Sequence, residues 1–195
     1  MTLLEQFTPA IIFLVFAACG FAALSYGCFF GAMYMKIPKR QLKKIIELGN
    51  LSADKTVMDL GAGHGAITFE AAYQGAHVIA VEIDPFKVLL MRLLLKYNNK
   101  SLLVPSINSL YLKHLNVDVL RANLLKVNYE PATILYCYLS PPLMQKIGHK
   151  AVREMKQGTK IISVEHKING WTPTYTDPED KIYEYTIGKS NPQTV

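Results

Sequence analysis

Apolar and polar positions follow two different patterns along the chain, and the pattern changes near residue 35. Residues 6–35 carry no charge and are rich in Ala and Phe. From residue 36 onward, short apolar runs alternate with segments whose apolar positions recur every three or four residues, which is typical of strands alternating with helices. This alternation predicts an α/β fold built on a parallel sheet with right-handed crossovers.

The boundaries of these runs give the predicted elements and domains. The expected strands are 56–60, 77–83, 117–122, 133–139, 160–164 and 181–187, and the expected helices are 41–48, one that ends at 74, 85–97 and 143–155. The chain is expected to divide into an anchor (1–35), a basic juxtamembrane segment with the first helix (36–55) and a ligand-binding domain (56–195). Residues 98–115 form a long apolar connection. It can be interpreted as a flap, as a second contact with the membrane surface or as an insert that packs against the core.

The uncharged segment predicts a single N-terminal transmembrane helix. A helix needs about 20 apolar residues to cross the hydrocarbon core, and ten positions within residues 10–31 are Leu, Ile, Phe or Val. Their summed insertion free energy is about −3 to −6 kcal/mol, which exceeds the small penalties of the Gly and Ser residues. A signal peptide and a lipoprotein site at Cys19 both lack the basic segment that should precede them. A buried soluble helix is the third interpretation.

Five basic side chains follow the uncharged segment and suggest its orientation. The positive-inside rule places residues 36–195 in the cytoplasm and makes the membrane a partner. Small residues at 23, 27 and 31 are spaced for the pairing of two helices, so a homodimer through the anchor is one possible arrangement. The five bases are Lys36, Lys39, Arg40, Lys43 and Lys44.

Composition excludes several classes of protein. Half of the 195 residues are apolar and 18% are charged, which excludes a disordered chain. The net charge of +6 could indicate nucleic acid, but the bases cluster directly behind the apolar segment. Cys19, Cys28 and Cys137 show no spacing of a disulfide framework or a metal site, so no metal is predicted.

A glycine-rich loop after the first strand indicates a nucleotide-like ligand. Gly61, Gly63 and Gly65 allow the backbone to approach the ligand closely and place it at the start of the next helix. Gly61, Gly63 and Ala66 also match a dinucleotide fingerprint. Asp59 favours another ligand, because a carboxylate suits the sulfonium and amino groups of S-adenosyl-L-methionine better than a pyrophosphate.

One acidic residue ends the second strand, and another follows it. Glu82 stands where a carboxylate can accept two hydrogen bonds from a ribose diol. Asp84 precedes Pro85, which is common in the first turn of a helix, so Asp84 is interpreted as the cap of that helix.

The motifs together resemble a known family. Asp-Leu-Gly-Ala-Gly-His-Gly (59–65) and Val-Glu-Ile-Asp-Pro (81–85) resemble the class I, seven-strand methyltransferases. Ile37-Pro38, 121–125, 138–141 and 170–173 occur in the same order in archaeal protein-lysine methyltransferases. They also occur in the membrane-anchored mitochondrial enzymes that modify the ATP synthase c-subunit and the adenine nucleotide translocase. The resemblance implies a Rossmann-like seven-strand sheet with helices on both faces, here preceded by the transmembrane helix.

The resemblance also implies roles for individual residues at the cofactor. Asp59 and the glycine loop with Ala62 would surround the methionine part of S-adenosylmethionine, and Glu82 would hold the ribose. Ile83 would line the cofactor. Asn123 stands where such enzymes usually have an Asp that binds the adenine amino group, and its amide oxygen can accept the same bond.

The turn after the fourth strand is the expected position of the reaction. Ser140 and Pro141 resemble the turn of amino-methylating enzymes, and Tyr138 is expected to border the cofactor. Leu143 replaces the aromatic residue that stacks on a flipped base, which argues against nucleic acid. The expected function is therefore methylation of a protein lysine at the membrane. Methylation of nucleic acid or of a small or lipid-like molecule, and a non-catalytic cofactor-binding protein, are the alternatives.

Overall fold

The structure is a computed structural model that describes residues 12–15, 36–97 and 115–190. The chain divides into two units, Met1–Tyr34 and Met35–Val195. In the first unit, residues 12–15 are helical and exposed. The elements discussed below all belong to the second unit.

The second unit alternates strands and helices as the apolar pattern predicts. Residues 56–60, 85–97 and 160–164 have the predicted boundaries, and the other predicted elements differ by a few residues at their ends. The helices are α1 (Lys39–Gly49), α2 (Ala66–Tyr73), α3 (Pro85–Tyr97) and α4 (Pro141–Glu154). The strands are β1 (Thr56–Leu60), β2 (His77–Glu82), β3 (Val117–Arg121), β4 (Ile134–Cys137), β5 (Lys160–Val164), β6 (Tyr175–Asp177) and β7 (Ile182–Thr186).

The strands form one seven-stranded sheet in the order β3-β2-β1-β4-β5-β7-β6, which confirms the expected seven-strand sheet. The predicted parallel sheet is present in five of these strands, and the sheet continues as antiparallel strands at one edge. The neighbouring strands β3, β2, β1, β4 and β5 pair in parallel. Strand β7 runs antiparallel to both β5 and β6. β6 has only three residues, two of them exposed, and therefore shows no apolar pattern that sequence reasoning could detect.

Helices cover both faces of the sheet because neighbouring strand residues point to opposite sides. Val57 packs with the buried residues of α1 and α2, whereas Met58 packs with those of α4. The buried positions of α4 are Met144, Ile147, Gly148 and Ala151, a spacing that places them on one side of a helix.

The strand register brings several loops to one edge. Leu60, near the carboxyl end of β1, lies opposite Val81 of β2 and Cys137 of β4. Cys137 in turn lies opposite Ser163 of β5. The segments that follow these four strands therefore emerge side by side, where open α/β sheets usually bind ligands.

The predicted transmembrane anchor needs correction. Within residues 12–15, 36–97 and 115–190, no helix has the length and the apolar character that crossing a membrane requires. The longest helix described there is Pro141–Glu154, with 14 residues, against the about 20 that a span needs. The prediction of a transmembrane helix before the domain is therefore wrong, and so is the single-pass membrane location with a cytoplasmic domain that was derived from it.

Other predictions fall on segments outside the described residues. These are residues 98–114 of the apolar connection, the small residues at 23, 27 and 31, and Cys19 and Cys28. Leu115, the last residue of that connection, is half-buried and packs against the buried apolar residues of the sheet.

Candidate active site

The loop after β1 adopts backbone conformations that only glycine takes up readily. Gly61, Gly63 and Gly65 have φ angles of 78°, 59° and 86°. Gly65 immediately precedes α2, and a Cβ at this position would lie 2.6 Å from the ring of Phe69. Glycine is therefore required at these positions by the positive φ angles and, at Gly65, also by the close packing of Phe69.

The same loop is fixed to the neighbouring strand. The N–H groups of Gly61 and Ala62 both donate to the carbonyl of Val81, at 2.9 and 3.1 Å. A Cβ at Gly61 would lie 2.8 Å from a methyl carbon of Leu139, which follows β4. The loop is thus held between β2 and the turn after β4, with its backbone at the edge where the strands end.

Asp59 is a buried carboxyl group below the loop. It is 3% exposed and accepts a hydrogen bond from the Thr68 hydroxyl of α2 at 2.6 Å. Burial raises the pKa of Asp59 from its usual 3.8 to about 6, and the charge of Glu82 adds to this rise. Sequence reasoning missed Thr68, although a hydroxyl within the apolar helix α2 was a signal for a buried polar contact.

Glu82 ties the loop to the end of β2. Its Oε2 accepts the N–H of Gly63 at 2.8 Å, and its Oε1 accepts the N–H groups of Ile83 and Asp84 at 2.8 and 2.9 Å. A carboxylate offers about four acceptor positions. Three are filled here, so one position on Oε2 remains for a ligand, where the sequence predicts two bonds to a ribose diol.

Asp84 caps α3, as predicted. Its Oδ1 accepts the N–H of Phe86 at 2.9 Å and makes a longer contact of 3.4 Å with the N–H of Lys87. Asp84 also lies 3.4 Å from the ammonium of Lys87. Ile83, between Glu82 and Asp84, is half-buried at the same edge.

Asn123 lies just beyond β3, whose last residue, Arg121, pairs with Glu82. Its side-chain oxygen accepts the N–H of Leu125 at 2.9 Å. A carbonyl oxygen has two lone pairs, so the amide keeps one acceptor position. The expected bond to an amino group would use this remaining acceptor position.

The turn after β4 leads directly into α4. Ser140 has an extended conformation, and its carbonyl accepts the N–H groups of Leu143 and Met144 at 3.0 and 3.1 Å. Pro141 is the first helical residue, a position that requires no N–H donor. The two prolines therefore start the helix, and Ser140, the residue before them, is half-buried.

Tyr138 is the first residue after β4 and is half-buried. Burial raises the pKa of its hydroxyl, and the nearby charge of Glu165 raises it further. Tyr136, two residues earlier, is fully buried and donates to the carbonyl of Ile45 in α1 at 2.9 Å. Tyr138 thus borders the edge, whereas Tyr136 is a core residue.

Sequence reasoning missed a contact at the end of β5. Glu165 and Lys181 have left-handed backbones, with φ of 69° and 49°, although neither is glycine. The N–H of Glu165 donates to the Lys181 carbonyl at 2.8 Å, and the two charged groups lie 2.9 Å apart. The partners are sixteen residues apart, so only the pairing of β5 with β7 brings them together.

The sheet order, the glycine loop and the acidic residues near the carboxyl ends of β1 and β2 define an α/β protein of the class I methyltransferases, enzymes that use S-adenosylmethionine. Residues 59–175, more than half of the chain, match the family described as the ANTKMT methyltransferase domain. The chain therefore belongs to that family, as the sequence motifs predict.

Three similar proteins illustrate the range of the class. A protein-lysine N-methyltransferase of Saccharolobus islandicus (strain REY15A) is 24% identical over 164 residues, which cover 80% of this chain and 94% of that enzyme. An rRNA adenine N-6-methyltransferase of Bacillus licheniformis is 31% identical over 68% of this chain, which spans only 42% of that enzyme. The crystal structure of an RNA methyltransferase from Salinibacter ruber with S-adenosyl-L-homocysteine superposes with a TM-score of 0.70 at 27% identity, over 82% of this chain and 98% of that one.

The raised pKa of Asp59 predicts a specific pH dependence of stability without cofactor. The folded protein binds this proton more tightly than the unfolded chain, so the stabilisation is complete below about pH 4 and is lost as pH rises through about 6. Asp59→Asn should therefore raise the free energy of unfolding at pH 7 by up to about 3 kcal/mol. The variant should also show a smaller decrease in the free energy of unfolding between about pH 4 and pH 6, measured by urea titration. Glu130→Gln, at an exposed position, is the control. An Asp59→Asn variant that is less stable and keeps the same pH slope would contradict the prediction.

Proposed function

We propose that this methyltransferase modifies lysine side chains of a protein substrate. The observation that carries the proposal is the similarity to the Saccharolobus islandicus protein-lysine N-methyltransferase, which extends over 94% of that enzyme. The turn after β4 agrees with it, because Leu143 offers no aromatic ring to a base and packs against the apolar core instead.

The residues at the edge of the sheet fit S-adenosylmethionine. This cofactor supplies a methyl group that is already activated on a sulfonium. Asp59, with its raised pKa, favours a cationic ligand nearby, because a positive charge stabilises the ionised carboxylate. The loop of Gly61, Ala62, Gly63 and Gly65 would surround the methionine part.

The remaining acceptors fit the nucleoside part of the cofactor. Glu82 would accept a ribose hydroxyl at its open Oε2 position. Asn123 would accept the adenine amino group at its remaining lone pair, and Ile83 would lie against the base. Each assignment uses an acceptor position or an apolar surface that the structure leaves at this edge.

The protein's main task at the acceptor is to present a neutral amine. A lysine with a pKa near 10.4 must lose a proton, which costs about 4.6 kcal/mol at pH 7. The neutral nitrogen then attacks the methyl carbon with its lone pair, the carbon–sulfur bond breaks with its electrons on sulfur, and the new ammonium later releases a proton to water. We assign the orientation of the amine to the side chains of Ser140 and Tyr138, and the rigid placement of Ser140 to Pro141.

RNA is the second candidate acceptor, and one observation favours it. The RNA methyltransferase from Salinibacter ruber is matched over 98% of its length and gives a TM-score of 0.70. The experiment must therefore separate protein from RNA directly.

Glu82→Gln should weaken the binding of S-adenosyl-L-homocysteine by about 1.5–3 kcal/mol, the usual contribution of a hydrogen bond to a charged group. The measurement is isothermal titration calorimetry. Asp84→Asn is the matched control, because it removes the same charge two residues away and keeps a good helix cap. Equal losses in both variants would show that charge, and not the ribose bond, accounts for the effect.

Ser140→Ala should slow methyl transfer about tenfold, the effect of one lost hydrogen bond of about 1.4 kcal/mol in the transition state, and leave the affinity for S-adenosyl-L-homocysteine unchanged. The reason is that Ser140 is assigned to the acceptor amine and not to the cofactor. Single-turnover transfer and calorimetry on the same preparation provide the two measurements. A loss of cofactor affinity equal to the loss of rate would contradict the assignment.

The acceptor class is tested by incubating cell extract with the enzyme and S-adenosylmethionine labelled in the methyl group. The label should resist ribonuclease, disappear from the macromolecular fraction after proteinase, and elute as methyl-lysine after acid hydrolysis. A Glu82→Ala variant gives the background. Label in N6-methyladenine or in the lipid extract would overturn the proposal in favour of RNA or of a small lipid-like acceptor.

A further inference from the structure

The contact between Glu165 and Lys181 holds a carboxylate and an ammonium at the carboxyl end of β5. The Lys181 Nζ lies 2.9 Å from the Glu165 Oε2, and the Lys181 and Glu165 side chains are 58% and 24% exposed. Exposed ion pairs contribute little to stability, whereas left-handed backbone is unfavourable for residues with a side chain. The ion pair therefore does not account for the two left-handed residues, and such backbone often marks functional positions.

A buried amide from α1 supports the carboxylate. Gln41 is 7% exposed; its Nε2 donates to the Asp180 carbonyl at 2.9 Å and lies 3.4 Å from the Glu165 Oε1. A carbonyl can only accept, so the nitrogen of Gln41 must face Asp180. The Gln41 Oε1 is buried and has no hydrogen-bond partner among the described residues. A second acceptor beside Glu165 thus lacks a donor.

Helix α1 is fixed firmly above this position. The Arg40 Nε lies 2.9 Å from the Asp180 carboxylate, and the Lys44 ammonium lies 2.5 Å from both Asp177 and Asp180. These contacts connect α1 to the end of β6 and to the segment that leads into β7. Gln41 is therefore held against Glu165 by a rigid support.

The pair lies next to the turn where the reaction is proposed. Cys137 of β4 pairs with Ser163 of β5, so Tyr138 and Glu165, which follow those strands, emerge at the same edge. The charges of Glu165 and Lys181 both act on the Tyr138 hydroxyl. A cation bound at Glu165 would therefore sit beside the expected position of the acceptor.

We propose that Glu165, supported by Gln41, binds the ammonium of the acceptor lysine, and that Lys181 occupies this carboxylate until the substrate displaces it. The proposal rests on the proposed function, since it requires a cationic amine as acceptor. Lys181 is the internal counterpart of the substrate: it presents the same functional group to the same oxygen.

The role of Glu165 is capture of the ammonium and not removal of its proton. The hydrogen bond from Lys181 holds the pKa of Glu165 below its usual range, with smaller contributions from Gln41 and His166. The carboxylate is therefore ionised at neutral pH and is a weak base. The substrate proton leaves to water, and a change at Glu165 should act on KM more than on kcat.

The test compares Glu165→Gln and Lys181→Met in the full chain, with short poly-L-lysine as the probe. Glu165→Gln should raise the KM for poly-L-lysine about tenfold with little change in kcat, and Lys181→Met should lower the KM because the competing ammonium is gone. A structural ion pair would shift both variants in the same direction. Fluorescence anisotropy of labelled poly-L-lysine, with S-adenosyl-L-homocysteine present, measures binding without turnover.

Lys160→Met and Glu184→Gln form the matched control, because that pair also lies at 2.9 Å but at the opposite end of β5. Neither control variant should alter poly-L-lysine binding, and thermal melting checks that each variant folds. If Glu165→Gln does not fold, Lys181→Met alone decides, since it should tighten binding. Unchanged or parallel effects of the two variants on binding overturn the proposal. If the two variants change poly-L-lysine binding as expected but no methyl group is transferred to lysine, the proposed function is overturned instead.

Discussion

The carboxylate of Glu82 is the interaction on which the geometry of the site depends. It accepts three backbone N–H groups, one from the glycine loop after β1 and two from the segment that starts α3. Charge-assisted hydrogen bonds of this kind are about twice as strong as neutral ones. A single side chain therefore ties the two loops together and keeps one acceptor position on Oε2. In the proposed function, a ligand would meet a group that the fold has already oriented.

Asp59 shows the opposite balance between stability and function. Its carboxyl group is buried, has a single side-chain donor in Thr68, and ionises only near pH 6. Without a ligand, the folded protein therefore loses stability near neutral pH at this position. A cationic ligand would recover that loss as binding free energy, because it stabilises the charged form. The same carboxyl group thus weakens the free protein and, in the proposed role, would favour a cationic ligand.

The parts of the fold that depend on local pattern could be predicted from the sequence, whereas contacts between distant segments could not. The boundaries of Thr56–Leu60 and Lys160–Val164 follow from apolar runs ended by glycine or polar residues. The strand Tyr175–Asp177 is too short and too exposed to show a pattern. Gln41 meets Glu165 across 124 residues of chain, and no local spacing encodes that contact. The apolar segment at 6–35 shows another limit, because composition within a window predicted a span that no described helix forms.

The charges at the edge of the sheet address a problem common to both proposed reactants. The chain has a net charge of +6, yet three acidic residues lie at the carboxyl ends of neighbouring strands. Asp59 and Glu82 stand near the ends of β1 and β2, and Glu165 directly follows β5. A sulfonium and a lysine ammonium repel each other, and carboxylates between them reduce that repulsion. A carboxylate also favours the protonated amine, which cannot react.

Binding two cations and delivering a neutral amine are compatible if the carboxylates act in different places. Glu165 would hold the ammonium where it arrives, and the amine would then lose its proton beside Tyr138, whose burial keeps the hydroxyl neutral. Separating capture from transfer in this way would let one edge bind two cations and still deliver a neutral nucleophile.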